Sequence, residues 1–310
     1  MHIRIATRKS PLALWQAEHV ATLLRQLDRS ITTELVKIVT RGDKILDVPL
    51  AKVGGKGLFT KEIDAALVDG RADIAVHSMK DVPTELPPGM SIVATPERED
   101  PRDMVATRGG VGLAHLPQGA TVGSSSLRRI CQLKQQFPHL SCVSVRGSVQ
   151  TRLNKMGSEV DAVILAAAGV KRLGLDAQMD GPLAVEIMLP AVAQGALGIQ
   201  SCDDRRELNR LLSQLNHVDS VDRICAERAF LARLEGGCQV PIAAFAELNG
   251  EQLTLRGLVG EEDGSRMIRD TICGKRGQAA EMGAQLADRI LDAGGREILA
   301  RLYAKESHDA

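Results

Sequence analysis

One cysteine lies where a protein could use a reactive thiol. Cys238 is part of the segment Leu-Glu-Gly-Gly-Cys-Gln-Val-Pro, in which a helical pattern ends, two glycines free the backbone and Pro241 prevents a return to helix. A thiol on such an accessible loop suits a nucleophile or a covalent attachment point. An arbitrary cysteine is more often a small buried residue at a loop corner. The chemical interpretation is favoured here because the chain supplies arginines where an anionic ligand needs them.

Arginines recur where predicted strands end and predicted helices begin. In open α/β sheets ligands bind at the carboxyl ends of the strands, and helix N-termini there add N–H donors and the positive end of a dipole. Arg128 and Arg129 fall in the first turn of a predicted helix, where a cation is unfavourable unless an anion is bound nearby. The set therefore predicts sites for carboxylates or phosphates, although each arginine alone could be a solvated surface charge. Its members are Arg8, Arg128, Arg129, Arg146, Arg152 and Arg172.

A carboxylate follows a buried-type strand. Asp81 comes directly after Lys80, between the predicted strand 74–77 and Pro83. At this position a carboxylate can act as a general acid or base, or can stabilise a cation that develops during a reaction. The alternative is an aspartate that caps a turn or a helix, and position alone leaves both interpretations open.

A glycine-rich segment, 53–57, predicts a mobile loop rather than a nucleotide site. The phosphate-loop spacing G-x-x-x-x-G-K-[ST] is absent because Lys56 is followed by Gly57. Glycines lower the cost of rearranging a backbone. We therefore expect residues 43–58 to form a lid, with Lys56 in it and Phe59 at its edge.

The composition limits the classes of partner. Lysines and arginines number 39, as do aspartates and glutamates, so the formal net charge is zero, whereas a general polyanion binder is basic. Aromatic residues make up only 2% of the chain, too few for a surface that stacks single-stranded bases. No nucleic-acid partner is therefore expected, and anion recognition must be local. No apolar run is long enough to span a membrane, so no membrane partner is expected either.

The cysteines and the first residues indicate a compartment. The six cysteines form no C-x-x-C pair and no metal-ligand cluster, so no metal site is predicted. The start of the chain, Met-His-Ile-Arg-Ile-Ala, is predicted to be a strand rather than a signal peptide. Free thiols without a leader favour the reducing cytoplasm.

The order of predicted elements indicates an α/β architecture. Strands that alternate with helices imply βαβ units and a mostly parallel sheet. A charged, proline-bearing stretch, 97–102, is predicted to be a linker, after which a similar layout follows: strand, Ser-capped helix with arginine, strand, Arg-Gly. The similarity suggests an internal duplication, but residue identity between the halves is too low to establish one. The predicted strands are 3–6, 34–39, 74–77, 91–95, 121–123, 141–145 and 162–166.

The pattern changes from about residue 217. A predicted helix, 221–234, leads into the Cys238 loop, and a run of strands follows with a hairpin turn at Asn249-Gly250. Two helices separated by Gly294-Gly295 end the chain. This order predicts a small antiparallel α+β domain that carries Cys238. Its strands are predicted at 243–248, 252–259 and 267–273.

Six segments together resemble the porphobilinogen deaminase family. They include Ala-Asp-Ile-Ala-Val-His-Ser-Met-Lys-Asp-Val-Pro (72–83) and Leu-Glu-Gly-Gly-Cys-Gln-Val-Pro (234–241), and they span almost the whole chain in order. The other four are 5–17, 50–59, 123–129 and 189–199. The resemblance implies two α/β domains like the lobes of a periplasmic binding protein, joined by two chain crossings, and a C-terminal α+β domain with a three-stranded antiparallel sheet. We expect domain 1 at 1–96 with 196–215, domain 2 at 101–190 and domain 3 at 218–310.

The resemblance also implies an activity. Enzymes of this family are transferases that condense porphobilinogen head to tail, with loss of ammonia, on a dipyrromethane cofactor, and release hydroxymethylbilane by hydrolysis. The cofactor is held by a thioether to the loop cysteine, here Cys238. We expect porphobilinogen as the small-molecule substrate, a monomeric protein, and hand-over of the product to the next pathway enzyme.

Residue roles follow from the same resemblance. Each pyrrole ring carries an acetate and a propionate, so a growing chain is a polyanion, which accounts for local arginines in a neutral protein. Asp81 would stabilise the cationic azafulvene formed on deamination. Cofactor carboxylates would be held by Lys80, Ser126, Arg128 and Arg129. Substrate or the elongating chain would be bound by Arg8, Ser10, Lys56, Phe59, Arg146, Arg152, Arg172 and Gln194.

Three positions depart from the pattern we associate with the family. Ser148 stands where asparagine is expected, Ala193 where glycine is expected, and Gln200 where glutamate is expected. Ser148 could weaken one polar contact, and Ala193 could stiffen a hinge next to Gln194. None of the three removes a residue with an implied chemical role.

Two other function classes are compatible with the predicted elements. A two-lobed, non-enzymatic binding module for a small anionic ligand has the same architecture, but it needs no reactive cysteine. A nucleic-acid-binding protein is disfavoured by zero net charge and scarce aromatic residues. A covalent addition on Cys238 would distinguish the enzyme from both.

Overall fold

The computed structural model describes residues 1–44, 57–236 and 240–309. These residues form two compact units. The first unit holds residues 1–44, 57–99 and 195–221, and the second holds residues 100–194 together with the described part of 222–309. The chain therefore passes from the first unit to the second after residue 99 and returns after residue 194.

The described residues contain strands in three sheets, with helices between them. In chain order the strands are β1 (His2–Arg8), β2 (Thr32–Ile38), β3 (Ile74–Ser78), β4 (Met90–Ala94), β5 (Asp103–Thr107), β6 (Thr121–Gly123), β7 (Ser141–Val143), β8 (Ala162–Ala166), β9 (Gly181–Pro182), β10 (Leu197–Cys202), β11 (Ile242–Asn249), β12 (Gln252–Gly260) and β13 (Met267–Lys275). The α-helices are Pro11–Leu27, Arg41–Lys44, Lys61–Val68, Leu127–Gln136, Val149–Asn154, Ala167–Arg172, Arg206–Leu212, Val218–Arg233, Ala279–Ile290 and Arg296–Asp309.

The first helix shows how local sequence produces these elements. Ser10 caps the helix Pro11–Leu27, because its Oγ accepts a hydrogen bond from the Ala13 N–H at 3.3 Å. Proline stands at the first helical position, where a missing N–H costs nothing. One face is buried at helical spacing, and this face covers the first sheet. Its buried members are Gln16, Ala17, Val20, Ala21 and Leu24.

The first two sheets have the same strand order. The first is β2-β1-β3-β10-β4 and the second is β7-β6-β8-β5-β9. In the first sheet β10 runs antiparallel to β3 and β4, and in the second β5 runs antiparallel to β8 and β9. The prediction of mostly parallel sheets is confirmed, with one reversed strand in each. The reversed strands β5 and β10 are the first strands formed after the chain changes unit at residues 99 and 194.

Both sheets are covered on two faces, as parallel sheets require. In the first sheet Ile5 and Ile74 pack with Leu24 on one face, and Ala6 and Ala75 pack with residues of the helix Lys61–Val68 on the other. The buried side chains of the second sheet likewise form two clusters, one on each face of the sheet.

The C-terminal region confirms the predicted antiparallel sheet. Strands β11, β12 and β13 pair in that order, and Gly250 forms the first hairpin turn with a φ of 59°. A Cβ at Gly283 would lie 2.3 Å from the Ala226 carbonyl oxygen, so glycine allows the helices Ala279–Ile290 and Val218–Arg233 to pack closely. The predicted fold class, two α/β sheets and a small α+β region, is confirmed.

One predicted strand is shorter than expected. The segment predicted as 141–145 is a strand only over Ser141–Val143. The Val145 carbonyl accepts a hydrogen bond from Ser125 Oγ at 2.8 Å, so a side chain satisfies this backbone group outside the sheet. The strands β5, β9 and β10 were not predicted.

Candidate active site

A small cavity lies at the carboxyl ends of β1 and β3 in the first unit. Its volume is about 80 Å³, and its lining includes four predicted site residues, Arg8, Ser10, Phe59 and Asp81. Arg8 is the last residue of β1, Ser10 caps the following helix, and Asp81 ends the 3-10 turn that follows β3. Strand ends and one helix start thus bring together side chains that are distant in sequence.

The Arg8 side chain is held from two sides. Its Nε donates to Asp43 Oδ1 at 3.0 Å and its Nη2 contacts the same oxygen, while its guanidinium carbon lies 4.2 Å from the centre of the Phe59 ring. Gly42 allows this approach, because a Cβ there would lie 2.2 Å from the ring. Leu58 accepts a hydrogen bond from the Gly42 N–H at 3.0 Å. Arg8 is therefore oriented before any ligand binds.

Asp43 supplies the charge that holds Arg8. Burial opposes ionisation of Asp43, but hydrogen bonds from Arg8 and from the Thr40 hydroxyl and N–H hold the pKa of this carboxyl below its usual value. Arg8 and Asp43 thus form an ion pair at neutral pH. The positive charge of Arg8 is partly compensated by Asp43, and the carboxylate among the described residues that line the cavity is that of Asp81.

A buried hydrogen-bonded chain lies behind the cavity. His77, which also lines the cavity, places its Nε2 2.8 Å from Gln200 Oε1, and Gln200 Nε2 donates to Asp64 Oδ1 at 2.9 Å. All three residues are buried. Burial lowers the pKa of His77, whereas the Gln200 hydrogen bond and the carboxylates of Asp64 and Asp81 oppose that shift. The imidazole therefore stays neutral at physiological pH.

A second cluster, in the second unit, contains the predicted arginine pair. Arg128 Nη1 donates to Asp103 Oδ2 at 2.8 Å, and Arg129 Nη2 donates to Asp103 Oδ1 at 2.7 Å. Both arginines are 5% exposed and Asp103 is fully buried. Burial alone would raise the pKa of Asp103, but the two guanidiniums hold it far below the usual range. The anion that the first-turn arginines require is thus a side chain of the protein, which the sequence analysis did not expect.

Gln194 joins the same cluster. Its Nε2 donates to Asp103 Oδ1 at 2.9 Å and to the Pro101 carbonyl at 2.8 Å, and the residue is fully buried. The preceding residue, Ala193, has a φ of 57°, a left-handed conformation that glycine adopts more easily. Its N–H donates to the buried Glu227 Oε2 at 2.7 Å. These contacts fix the segment where the chain leaves the second unit.

Arg129 retains one unused donor. Its Nη1 donates to the Ile164 carbonyl at 2.8 Å, but its Nε is buried and has no hydrogen-bond partner among the described residues. A buried donor without a partner is costly. Two arginines and one aspartate also leave an excess of one positive charge. A carboxylate of a ligand would satisfy both the donor and the charge.

Of the other predicted arginines, Arg152 and Arg172 lie on short helices of the second unit, and Arg146 lies in the loop before the first of them. Arg152 belongs to the helix Val149–Asn154 and donates from Nε to the Gly147 carbonyl at 2.9 Å, next to the half-buried Arg146. Ser148 caps this helix, since its Oγ accepts from the Thr151 N–H at 3.1 Å. Arg172, also half-buried, ends the helix Ala167–Arg172.

Some predicted residues are not joined to either cluster by a described contact. Lys80 is half-buried in the turn that contains Asp81, and Ser126 is half-buried at the N-cap of the helix Leu127–Gln136. Lys56 and Cys238 lie outside the described residues, as does most of the predicted lid, 43–58. Across the described chain, no group of three or more His, Cys, Asp or Glu side chains is arranged to hold a metal ion.

Sequence reasoning missed the partners of the arginines. Asp43, Asp103 and the His77–Gln200–Asp64 chain were not among the predicted site residues. Asp103 begins an apolar run directly after a charged linker, and an acidic residue at the start of a buried strand is the one signal that could have identified it. The pairing itself could not be predicted, because Asp103 and Arg128 are 25 residues apart.

Two family models match the chain in succession. The model described as "Porphobilinogen deaminase, dipyromethane cofactor binding domain" matches residues 3–210. The model described as "Porphobilinogen deaminase, C-terminal domain" matches residues 221–292. Together they cover nearly the whole chain.

Several solved structures are similar to part of this chain. The periplasmic VFT2 domain of Bordetella pertussis BvgS has a TM-score of 0.39 and 14% identity, covering 69% of this chain and 86% of that one. The methionine-binding protein MetQ has a TM-score of 0.43 and 11% identity, covering 69% and 89%. The second substrate-binding domain of a putative amino acid ABC transporter from Streptococcus pneumoniae has a TM-score of 0.44 and 12% identity, covering 68% and 90%. None of the helices in the described ranges is long and apolar enough to cross a membrane.

Proposed function

The chain belongs to the porphobilinogen deaminase family, and we propose how its residues divide the work of that family's reaction. It is a transferase of tetrapyrrole biosynthesis that condenses porphobilinogen head to tail on a dipyrromethane cofactor, with loss of ammonia, and releases hydroxymethylbilane. The non-enzymatic binding module is not favoured by this membership. The single observation that best supports our assignment of the cofactor site is the buried arginine pair with one unused donor.

The residues of the second cluster fit a group that carries several carboxylates. The unpartnered Arg129 Nε and the excess positive charge beside Asp103 both call for a carboxylate oxygen. Ser126 and the first-turn N–H groups of the helix Leu127–Gln136 add donors at the same end. We assign Arg128, Arg129, Ser126 and Lys80 to holding the dipyrromethane carboxylates. When bound, that group supplies the pyrrole carbon to which the first porphobilinogen unit is joined.

Cys238 is our assignment for the covalent attachment. A thioether forms most readily from a thiolate. Burial raises the pKa of the Cys131 thiol to about 12 and also raises the pKa values of Cys142, Cys202 and Cys225. These four thiols are therefore poor nucleophiles at neutral pH. That property, together with the Gly-Gly-Cys loop, supports Cys238.

Asp81 is assigned to catalysis. Its carboxylate shares the cavity with Arg8, Ser10 and Phe59, so a pyrrole ring bound there would lie close to a negative charge. Loss of ammonia leaves positive charge on the substrate, and a preorganised carboxylate in a site with little water stabilises that charge. Phe59 offers a ring face next to Arg8.

The remaining assignments concern the substrate and the growing chain. Arg8 and Ser10 would bind substrate carboxylates in the cavity, and Lys56 would add a charge from the lid. Arg146, Arg152 and Arg172 would hold the elongating chain, since several cations are needed for a product with eight carboxyl groups. Gln194 would couple the segment that leaves the second unit to the arginine pair, because it binds Asp103.

Some broader properties are also proposals. We propose the three-domain division given by the resemblance, in which residues 101–190 and 218–310 are separate domains. We further propose that the protein is a monomer of the cytoplasm and passes its product to the next enzyme of the pathway.

The test is the variant Asp81→Asn, assayed as holoenzyme. Removing one preorganised charge typically costs about 3–4 kcal/mol of transition-state stabilisation, so turnover should fall about a hundredfold or more while the cofactor mass is retained. Asp69→Asn, at an exposed carboxylate of the same unit, should leave turnover unchanged. Turnover of Asp81→Asn within threefold of wild type would mean that Asp81 only caps a turn.

A further inference from the structure

Asp103 is the shared anion of the arginine pair. Its Oδ2 accepts from Arg128, and its Oδ1 accepts from Arg129 and from Gln194, at 2.7–2.9 Å. The carboxylate has no exposed surface, and it stands at the first position of β5. It belongs to neither set of implied site residues, because no contact with a ligand is expected of it.

The geometry of Asp103 fixes both guanidinium planes. A carboxylate is planar, and here each of its oxygens takes one guanidinium, so the two arginines are held side by side. Backbone carbonyls hold their other edges: Leu189 accepts from Arg128 and Ile164 accepts from Arg129, each at 2.8 Å. Once these partners are satisfied, Arg129 Nε is the buried donor of the pair that has no partner within the described part of the chain.

The charge of Asp103 also decides how much cationic charge is left for a ligand. Two buried guanidiniums without a counter-ion repel each other and are strongly destabilised by desolvation. Burial lowers the pKa of Arg128, and the Asp103 carboxylate opposes that shift. With Asp103 ionised, the cluster keeps both arginines charged and carries a single excess positive charge.

We propose that Asp103 is a positioning residue for cofactor assembly: it presents the Arg128–Arg129 pair as one preformed, singly charged cradle for a carboxylate of the dipyrromethane group. The proposal rests on the assignment of Arg128 and Arg129 to that group. Asp103 acts through the arginines and touches no reacting atom. Gln194 helps to hold Asp103 in place. Its amide nitrogen donates to the Asp103 oxygen that also accepts from Arg129, and it donates as well to the Pro101 carbonyl, near the point where the chain enters the second unit.

The experiment uses the full-length apoprotein, converted to holoprotein with porphobilinogen and followed by intact mass. In Asp103→Asn one guanidinium faces an amide N–H instead of a carboxylate oxygen, so the rate of cofactor incorporation should fall at least about tenfold, the usual effect of one lost charged hydrogen bond. The concentration of porphobilinogen at half-maximal rate should rise, because the carboxylate site is misplaced.

A matched control separates positioning from general loss of stability. Asp180 accepts hydrogen bonds from the Thr107 N–H at 3.0 Å and from the Thr107 hydroxyl at 2.6 Å, at the other end of β5, without an arginine. Asp180→Asn should lower the melting temperature but incorporate the cofactor at the wild-type rate. Incorporation by Asp103→Asn within threefold of Asp180→Asn would overturn the proposal.

Two further variants keep the outcome decisive. Asp103→Glu retains the charge and shifts the carboxylate by one methylene; if Asp103→Asn does not fold, slowed incorporation by Asp103→Glu supports the proposal, and a wild-type rate overturns it. Arg128→Leu tests the underlying assignment. If Arg128→Leu incorporates the cofactor at the wild-type rate, the assignment of the arginine pair fails and the role of Asp103 fails with it. If Arg128→Leu incorporates the cofactor slowly but Asp103→Asn does so at the wild-type rate, only the role of Asp103 is refuted.

Discussion

At the residue scale, the chain from His77 through Gln200 to Asp64 has a defined direction of hydrogen bonds. The Gln200 amide nitrogen donates to Asp64, so the Gln200 oxygen is left to accept from His77 Nε2. The imidazole, which burial keeps neutral, is thereby held with its proton on Nε2. Glutamate at position 200 would place a second carboxylate beside Asp64, and the glutamine of this chain avoids that repulsion.

The buried position of His77 predicts that the stability of the protein depends on pH. The charged groups facing His77 are Asp64, Asp81 and Arg8, and burial holds its pKa below the unfolded value of about 6.5. Below that pH the unfolded state takes up a proton that the native state refuses. The free energy of unfolding should therefore fall as the pH drops through 6.5, by up to about 1.4 kcal/mol per pH unit from this residue.

Denaturant unfolding of wild type and His77→Gln at several pH values measures this contribution. Glutamine can still donate to Gln200 but does not titrate, so the variant should lose less stability between neutral and acidic pH. His115→Gln, at an exposed histidine, should follow the wild-type curve. Parallel curves for wild type and His77→Gln would contradict the burial argument.

At the element scale, short helices carry Arg152 and Arg172, two of the arginines assigned to the growing chain, and helix caps influence whether such short helices form. The helix Val149–Asn154 has only six residues, and the Ser148 side chain bonds both the N–H of Thr151 at 3.1 Å and its hydroxyl at 2.8 Å. Serine and asparagine are about equally good caps. The departure from asparagine at this position therefore keeps the helix start.

Ser148→Ala should destabilise this helix by about 1 kcal/mol, whereas Ser148→Asn should change its stability by less than about 0.5 kcal/mol. Because Arg152 lies on the helix, fraying should also raise the substrate KM more than it changes kcat. Thermal unfolding and steady-state kinetics check both effects. Ser158→Ala, which removes an exposed hydrogen bond to the Lys155 carbonyl, is the control. Equal behaviour of the alanine and asparagine variants at position 148 would show that capping is unimportant there.

Many elements could be predicted because their signals are local. The strand Ala162–Ala166 was predicted with the bounds it has, and the three C-terminal strands were predicted to within two residues. The reversed strands β5 and β10 were not predicted, and neither was β9: β5 follows a linker and starts with an aspartate, and β9 has only two residues. Strand direction and sheet order depend on contacts across the chain, which a periodic pattern does not contain.

The same contrast between local signals and long-range contacts applies to the site residues. Arginine positions could be predicted from their place at strand ends and helix starts, and the cavity brings Arg8, Ser10, Phe59 and Asp81 together as expected of neighbouring strands. The partner carboxylates could not be predicted, because Asp43 is 35 residues from Arg8 and nothing in the sequence marks the pair. The sequence thus pointed to the arginines, whose role toward a polyanion stays a prediction, but not to the internal anions that orient Arg8, Arg128 and Arg129.

At the scale of the whole molecule, a neutral chain concentrates charge in two places. The first unit holds the Arg8–Asp43 pair and Asp81 at its cavity, and the second holds Asp103 with its two arginines. The two sheets repeat one strand order, which supports the duplication suggested by the sequence layout. A duplicated α/β fold provides equivalent strand-end sites, and these sites bind different groups when their residues differ.

The central claim is that this chain carries its dipyrromethane group on Cys238, and peptide mapping of the freshly purified, denatured protein tests it most directly. We expect the added dipyrromethane mass on the peptide that contains Cys238. We expect Cys238→Ala to lack this mass while its fold stays intact. The described thiols, with pKa values raised by burial in four of the five, should be unmodified. Added mass on Cys131, Cys142, Cys202, Cys225 or Cys273, or no added mass at all, would contradict the account.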